Sequence, residues 1–154
     1  MRYASHLSKG TLAATRRRVI QCIAMTEKRI FYLNQLSHPV FAEIMRGRSD
    51  VSLTGLVNAS PEAEVAPVLA RAHAYQIPSV RDDLAPQFHA HAALLARAPD
   101  LLVVSTSGAG YDTVEVDNCT RAGVLAVNQA GGNARSVAEH VMAMLLCLSK
   151  KIIQ

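Results

Sequence analysis

Leu101-Leu102-Val103-Val104 runs into Ser105-Thr106-Ser107-Gly108-Ala109-Gly110-Tyr111-Asp112, and after a polar stretch Gly123 precedes a second apolar run, Val124 to Val127. Asn128-Gln129-Ala130-Gly131-Gly132-Asn133 follows, and Ser136-Val137-Ala138-Glu139-His140 then opens a long apolar segment. Short apolar runs bounded by turn residues read as buried strands. Strand, loop, helix, strand, loop and helix in that order predict parallel strands joined by helical crossovers. Gly108-Ala109-Gly110 is therefore expected at the carboxyl end of a sheet, where α/β folds hold their ligands. Glycine tolerates close backbone approach and positive φ, so consecutive N–H groups there can face an anion. The dinucleotide fingerprint G-x-G-x-x-G fails, because Thr113 stands in the third glycine's place. The loop suits a small carboxylate better than a pyrophosphate, and taken alone a tight turn is its simpler reading.

Outward from this stretch the alternation continues. A strand is expected over 29–36 and a helix over about 39–47, started by Pro39, whose missing N–H would be unpaired there anyway. A strand over 51–57 ends in Asn58-Ala59-Ser60-Pro61, and Ser60 is expected to cap a helix over about 61–75 with Glu62 and Glu64 in its first turn. Ile77-Pro78-Ser79-Val80 reads as a poor strand because Pro78 lacks a ladder donor. Residues 81–86 read as loop and 87–98 as a helix. Strands over 101–104 and 124–127 bracket a helix over 115–122, closed by Gly123. The prediction is an α/β fold, a flavodoxin-like, doubly wound, mostly parallel open sheet.

The last helix stands apart. Asn133 or Ser136 can cap it, and Ser136 with Glu139 forms a potential capping box. Beyond Val137, the residues Ala138, Val141, Met142, Ala143, Met144, Leu145, Leu146 and Leu148 surround its axis. A helix apolar on all sides expects burial on all sides. A domain of this size is hard pressed to provide it, so a packing partner is expected.

Composition sets outer bounds. The 154 residues fit one domain, and half of them are apolar, enough for a real core. No apolar run reaches the ~18 residues of a membrane span. Cys22, Cys119 and Cys147 are scattered, odd in number and without metal-ligand spacing, which fits a reducing compartment. The net charge of +4 is concentrated at one end: Arg2, Lys9, Arg16, Arg17 and Arg18 precede the first acid, Glu27, leaving 11 basic against 12 acidic residues in the remainder. A nearly neutral domain gives no support to a nucleic-acid partner. Three readings fit residues 1–26: a mitochondrial transit peptide, a small nucleic-acid or membrane contact, or upstream sequence ahead of a start at Met25. The last is preferred, with a cytoplasmic protein expected, or a mitochondrial-matrix one if the leader is a transit peptide.

The arrangement over 101–151 resembles the D-isomer-specific 2-hydroxyacid dehydrogenases. The resemblance is strong there, vague over 27–100 and absent over 1–26. It implies an oxidoreductase interconverting 2-hydroxy and 2-keto acids with NAD or NADP, the loop gripping the substrate's carboxylate by backbone amides. Carried over, Ser107, Gly108, Ala109, Gly110 and Asn133 become substrate contacts, and Ala109 and Val137 border the nicotinamide. Asp112 and Asp117 match acidic positions read as structural caps. Many members carry an arginine or other large residue just before the glycine loop. Ser105-Thr106-Ser107 departs from that pattern, which leaves the substrate's side chain open. The resemblance further implies that 27–133 form the substrate domain, that 134–154 are a hinge helix, and that a nucleotide-binding domain would follow. That domain would bring the catalytic arginine, histidine and glutamate and would make the full-length enzyme a homodimer. No catalytic residue is assigned within the 154, and the fragment alone is expected to be inactive.

Other polar residues carry plainer readings. His140 matches a structural position, His89 and His91 a surface helix face without metal ligation, and Arg135 a solvated surface. A competing reading of the chain is a small-acid-binding or heterodimerising module without catalysis.

Overall fold

The computed structural model describes residues 27–152; the three readings of residues 1–26 lie outside the described residues. Five strands, β1 (Lys28–Leu33), β2 (Val51–Leu56), β3 (Ala74–Ile77), β4 (Val103–Thr106) and β5 (Leu125–Val127), form one sheet in the order β2-β1-β3-β4-β5. Every pair is parallel, with Phe31 beside Tyr75, Tyr75 beside Val104 and Val104 beside Ala126. The connecting helices are α1 (Pro39–Arg46), α2 (Glu62–Arg71), α3 (Ala92–Arg97) and α4 (Val116–Ala122), and α5 (Ala134–Lys150) follows β5. Short 3-10 turns occupy Arg81–Asp83 and Pro86–Phe88. The order is the flavodoxin-like one, as expected.

The crossover through α1 moves one way from β1, and those through α2, α3 and α4 move the other way. Crossovers of one hand then set α1 on one face and α2 to α4 on the opposite face. Burial follows this division. Phe31, Leu33, Tyr75, Ile77, Val104 and Thr106 alternate along their strands and are buried, with Val65, Leu69, Leu94, Leu95 and Cys119 from the three helices. Their neighbours on the other face, Ile30, Tyr32, Ala74, Gln76, Val103 and Ser105, are only half-buried. Tyr75 sits at the centre: it stacks on Phe31 with ring centroids 4.1 Å apart, and its hydroxyl donates to the Phe88 carbonyl at 3.0 Å.

Several boundaries differ from the sequence reading. The helix expected to reach residue 75 stops at Arg71, and Ala74–Ile77 is the middle strand of the sheet. Pro78 lies just past that strand and ends it, so its missing donor is not needed by the ladder. The helix expected over 87–98 begins only at Ala92, because 84–91 is taken up by turns and by the bridge between Ala90 and Val114. Ser60 does not cap α2; Pro61 holds the cap position, and the Ser60 hydroxyl accepts from the Val57 amide instead. The box of Ser136 with Glu139 does not form either. The helix already starts at Ala134, the Asn133 side chain makes no cap bond, and Glu139 pairs with Arg135. Gly123 does close α4 in the left-handed conformation, with φ of 70°.

α5 buries none of its residues. Leu145 is 55% exposed and Leu148 78%. Its apolar residues are thus uncovered among the described residues; they are not spread evenly as expected, since Val137, Val141, Met144, Leu145 and Leu148 share one side of the helix.

At the opposite end of the sheet His73 is buried, and its Nδ1 accepts the Arg29 amide at 3.0 Å. The neutral ring then carries its proton on Nε2, so the Arg29 guanidinium 3.1 Å away is a neighbouring cation rather than a donor. Burial first, and then this cation, hold the His73 pKa below the usual histidine value. A depressed pKa means that the unfolded chain takes up the proton first, so the contribution is complete above about pH 6.5 and is lost as pH falls below it. The thermal midpoint should therefore drop on acidification from pH 7 to 5, with a smaller drop in His73→Gln. Tyr75→Phe, which strands the buried Phe88 carbonyl, should cost about 1–3 kcal/mol in denaturant titration.

Candidate functional site: the carboxyl rim of the sheet

Because all strands are parallel, Leu33, Leu56, Ile77, Thr106 and Val127 end on one rim, and the loops that leave it are brought together there. Asn34, directly after β1, is left-handed with φ of 59°. Asparagine tolerates this because its short amide bonds locally. Its Nδ2 donates to the Asp83 carbonyl at 2.9 Å, and its Oδ1 accepts from the Asn58 amide at 3.1 Å. Asn58 Oδ1 in turn accepts from the Ala85 amide. Two asparagines thus tie the loops after β1 and β2 to the 81–85 segment. Sequence reasoning missed both, although an asparagine just past a strand is a turn signal.

The glycine loop is fastened on three sides. The Ser107 amide donates to the Ile77 carbonyl at 3.0 Å, continuing the β3–β4 ladder. The Gly108 carbonyl accepts from Thr106 Oγ1 at 2.9 Å and from the Gln129 amide at 3.0 Å. The Ala109 carbonyl accepts from Asn128 Nδ2 at 2.8 Å. In a trans peptide the carbonyl of one residue and the amide of the next point in opposite directions. Fixing these two carbonyls on the 128–129 segment turns the Ala109 and Gly110 amides away from it. Among the described residues, neither amide has an acceptor. Ser107 differs: its amide is engaged in the sheet, and its hydroxyl is the group left to offer.

Glycine serves a purpose here other than the one anticipated. Positive φ occurs at Gly123 and Gly131, not at Gly108 or Gly110. What residue 108 needs is room, because a Cβ there would lie 2.8 Å from Ser79 Oγ. Ser79, from the loop after β3, is a support that no sequence signal marked. Thr113, in the failed third-glycine position, is buried and donates to the Pro78 carbonyl at 2.5 Å. Arg81 Nε likewise holds the Asp112 carbonyl at 2.9 Å.

A cleft of about 490 Å³ opens beside the loop, and its walls include Asn34, Leu36, Val57, Gln76 and Ser107. Ser107 is the residue that belongs to both cleft and loop. Of the other anticipated contacts, Gly108 is half-buried, whereas Ala109 and Gly110 are exposed. Asn133 and Val137 lie further along, at the N-cap and in the first turn of α5, both exposed. No hydrogen bond among the described residues joins the Asn133 side chain to the loop. His140 is exposed on α5.

His89 and His91 are not on a helix face: Nε2 of His89 lies 3.2 Å from the Leu84 carbonyl, and Nδ1 of His91 caps α3 by accepting from Leu94. Asp112 and Asp117 make no side-chain cap bond, and the cap of α4 is Glu115. Burial pushes the Cys119 thiol up to about 11, which makes it a core group and not a nucleophile. Among the described residues no cluster of histidine, cysteine and carboxylates could hold a metal, and no helix is long and apolar enough to cross a membrane. A pyrophosphate would need a glycine turn leading straight into a helix N-terminus. Here Tyr111 to Glu115 intervene before α4, so the Gly108–Gly110 loop is not such a seat.

The model of the D-isomer-specific 2-hydroxyacid dehydrogenase catalytic domain matches residues 30–146. D-3-phosphoglycerate dehydrogenase of Mycobacterium leprae is 46% identical over 63 residues, which cover 41% of this chain but 12% of that protein. Among solved structures, 2-hydroxyacid dehydrogenase from Ketogulonicigenium vulgare aligns over 84% of this chain and 38% of its own, with a TM-score of 0.67 and 26% identity. D-lactate dehydrogenase from Aquifex aeolicus, complexed with NAD and lactic acid, aligns over 80% of this chain and 34% of its own, with a TM-score of 0.59 and 24% identity. The chain thus spans little more than a third of the structures it resembles. The matched model covers most of the chain, and the sheet order agrees with it: the chain belongs to the D-isomer-specific 2-hydroxyacid dehydrogenase family, through its catalytic domain.

Proposed function

We propose that residues 27–133 are the acid-binding domain of an NAD(P)-dependent D-2-hydroxyacid dehydrogenase and that 134–154 are the hinge helix joining it to a nucleotide-binding domain. The observation that carries this reading is the pair of adjacent amides, Ala109 and Gly110, held outward and without acceptors at the carboxyl rim. Amides aimed at a carboxylate form charge-assisted hydrogen bonds, stronger than neutral ones. Because their orientation is set in advance, binding need not reorganise the loop. Gly108 and the Ser107 hydroxyl complete the grip, with Asn133 beside the acid and Ala109 and Val137 beside the nicotinamide.

The cofactor supplies hydride chemistry when bound; these residues hold the acid and keep its C2 in place. The arginine, histidine and glutamate of the family's reaction have no counterparts assigned among the 154 residues. Alone the chain is therefore expected to bind acid without turnover. NAD or NADP is the carrier, in keeping with the NAD and lactic acid complex of the Aquifex relative. A second reading, a non-catalytic acid-binding or heterodimerising module, draws on the exposed apolar surface of α5.

Titration of the 15N-labelled chain with a 2-oxo acid should move the Gly108, Ala109 and Gly110 amide resonances first. Shifts confined to other parts of the molecule would refute the proposal. Gly108→Ala should weaken acid binding only about twofold to threefold, because the Ser79 hydroxyl can rotate aside, and adding Ser79→Gly should restore it. Asn128→Ala, which frees the Ala109 carbonyl, should weaken binding about threefold to tenfold.

A further inference from the structure

Arg81 opens the short 3-10 turn between β3 and α3, and its side chain reaches the backbone of the next rim loop. Its Nε donates to the Asp112 carbonyl at 2.9 Å. Asp82 and Asp83 adjoin it in sequence, yet among the described residues Arg81 makes no ion pair. Arg46, Arg71, Arg97 and Arg121 stand in the last turns of their crossover helices, and so on the amino side of the sheet. Arg81 lies on the carboxyl side, and its bond joins two rim loops. The turn that carries it is held from behind. The Leu84 amide donates to the Arg81 carbonyl at 3.1 Å, and the Asp83 carbonyl accepts from Asn34 Nδ2 at 2.9 Å. The Ala85 amide donates to Asn58 Oδ1 at 3.1 Å.

We propose, resting on the glycine-loop reading above, that Arg81 is a positioning residue for acid binding and acts through the Asp112 carbonyl on the Ala109 and Gly110 amides. The stretch from Ala109 to Asp112 is held at both ends, by Asn128 at the Ala109 carbonyl and by Arg81 at the Asp112 carbonyl. Gly110 and Tyr111 stand between these two points. With both ends fixed, planar peptides leave the Gly110 amide little arc to turn through. Thr113 ties its own hydroxyl to the Pro78 carbonyl but holds no carbonyl of the glycine loop. Arginine suits the task because its Nε–H is set back along the side chain, so the terminal nitrogens stay in water while the bond is made. A charged donor also binds a neutral carbonyl more strongly than a neutral donor does.

Arg81→Gln and Arg81→Met separate this role from that of a charge. Glutamine places its amide nitrogen as many bonds from Cα as Nε, so it keeps the donor and loses the charge; methionine keeps the length and loses both. Arg81 is exposed, so neither change disturbs the core. Titration of the 15N-labelled 154-residue chain with 2-oxobutyrate should show Arg81→Gln within about twofold of the unsubstituted chain. Arg81→Met should bind about threefold to fivefold more weakly. Without any acid, 15N relaxation should show the Gly110, Tyr111 and Asp112 amides more mobile in Arg81→Met and unchanged in Arg81→Gln. Equal losses of binding in the two variants would make charge the operative property and overturn the inference. Amides in Arg81→Met as ordered as those of the unsubstituted chain would overturn it as well, with the loop reading left standing. Failure of 2-oxobutyrate to move residues 108–110 of the unsubstituted chain overturns the loop reading itself, and the role of Arg81 in acid binding with it.

Discussion

Tyr75 is the residue on which the arrangement turns. It lies on the middle strand, fully buried, stacked against Phe31 on one side and in register with Val104 on the other. A phenol can occupy such a position only if its hydroxyl is satisfied, and the Phe88 carbonyl does so. This bond draws the 84–91 segment down onto the sheet. Two residues further on, Ile77 accepts the Ser107 amide. Core packing therefore sets both edges of the loop after β3, and that loop places Ser79 beneath Gly108. An error in the packing of one aromatic would be passed to the rim through fewer than five residues.

At the rim the controlling constraint changes from packing to peptide planarity. Asn128 and Gln129 hold two consecutive carbonyls, and the amides that follow have no freedom to turn inward. The outward orientation of these amides thus does not come from positive φ at the loop glycines. It comes from a neighbouring strand's loop pulling on the opposite side of the same peptides. Glycine contributes by being small where Ser79 approaches, and Thr113 by bolting the far end of the loop to Pro78. The same residue that spoils a dinucleotide fingerprint therefore stiffens the glycine loop.

How much of this could be read in advance varies with the reach of the signal. The strands near 103 and 125, and the helix ended by Gly123, are announced by local apolar runs and a left-handed cap, and they form close to where expected. β3 was obscured because Ala72-His73-Ala74-Tyr75 continues the alanine-rich composition of α2, and its strand character comes from pairing with β1 and β4 on both sides. The caps failed locally: Ser60 had an alternative in the Val57 amide, and Ser136 falls inside a helix that starts two residues earlier, at Ala134. The glycine loop was visible as a loop, but its orientation was not. That depends on Asn34, Asn58, Ser79 and Asn128, whose partners lie many residues away, and a single sequence does not show such pairs.

The division of the sheet into a well-covered and a half-covered face follows from connectivity alone. With three crossovers on one side and one on the other, Ile30, Ala74 and Val103 receive less cover than Phe31, Tyr75 and Val104. α5 could have balanced the two faces, since a fifth helix after β5 ordinarily returns to the sheet. It buries nothing instead, although Val137, Val141, Met144, Leu145 and Leu148 fall on one side of its axis. Such a stripe asks for one apolar surface, with Arg135, Ser136, Glu139 and His140 left toward water. Among the described residues that stripe is uncovered, whereas the rim already has its bonds in place. The bonds that fix the glycine loop are therefore complete among the described residues, even though the apolar side of the last helix is uncovered by them.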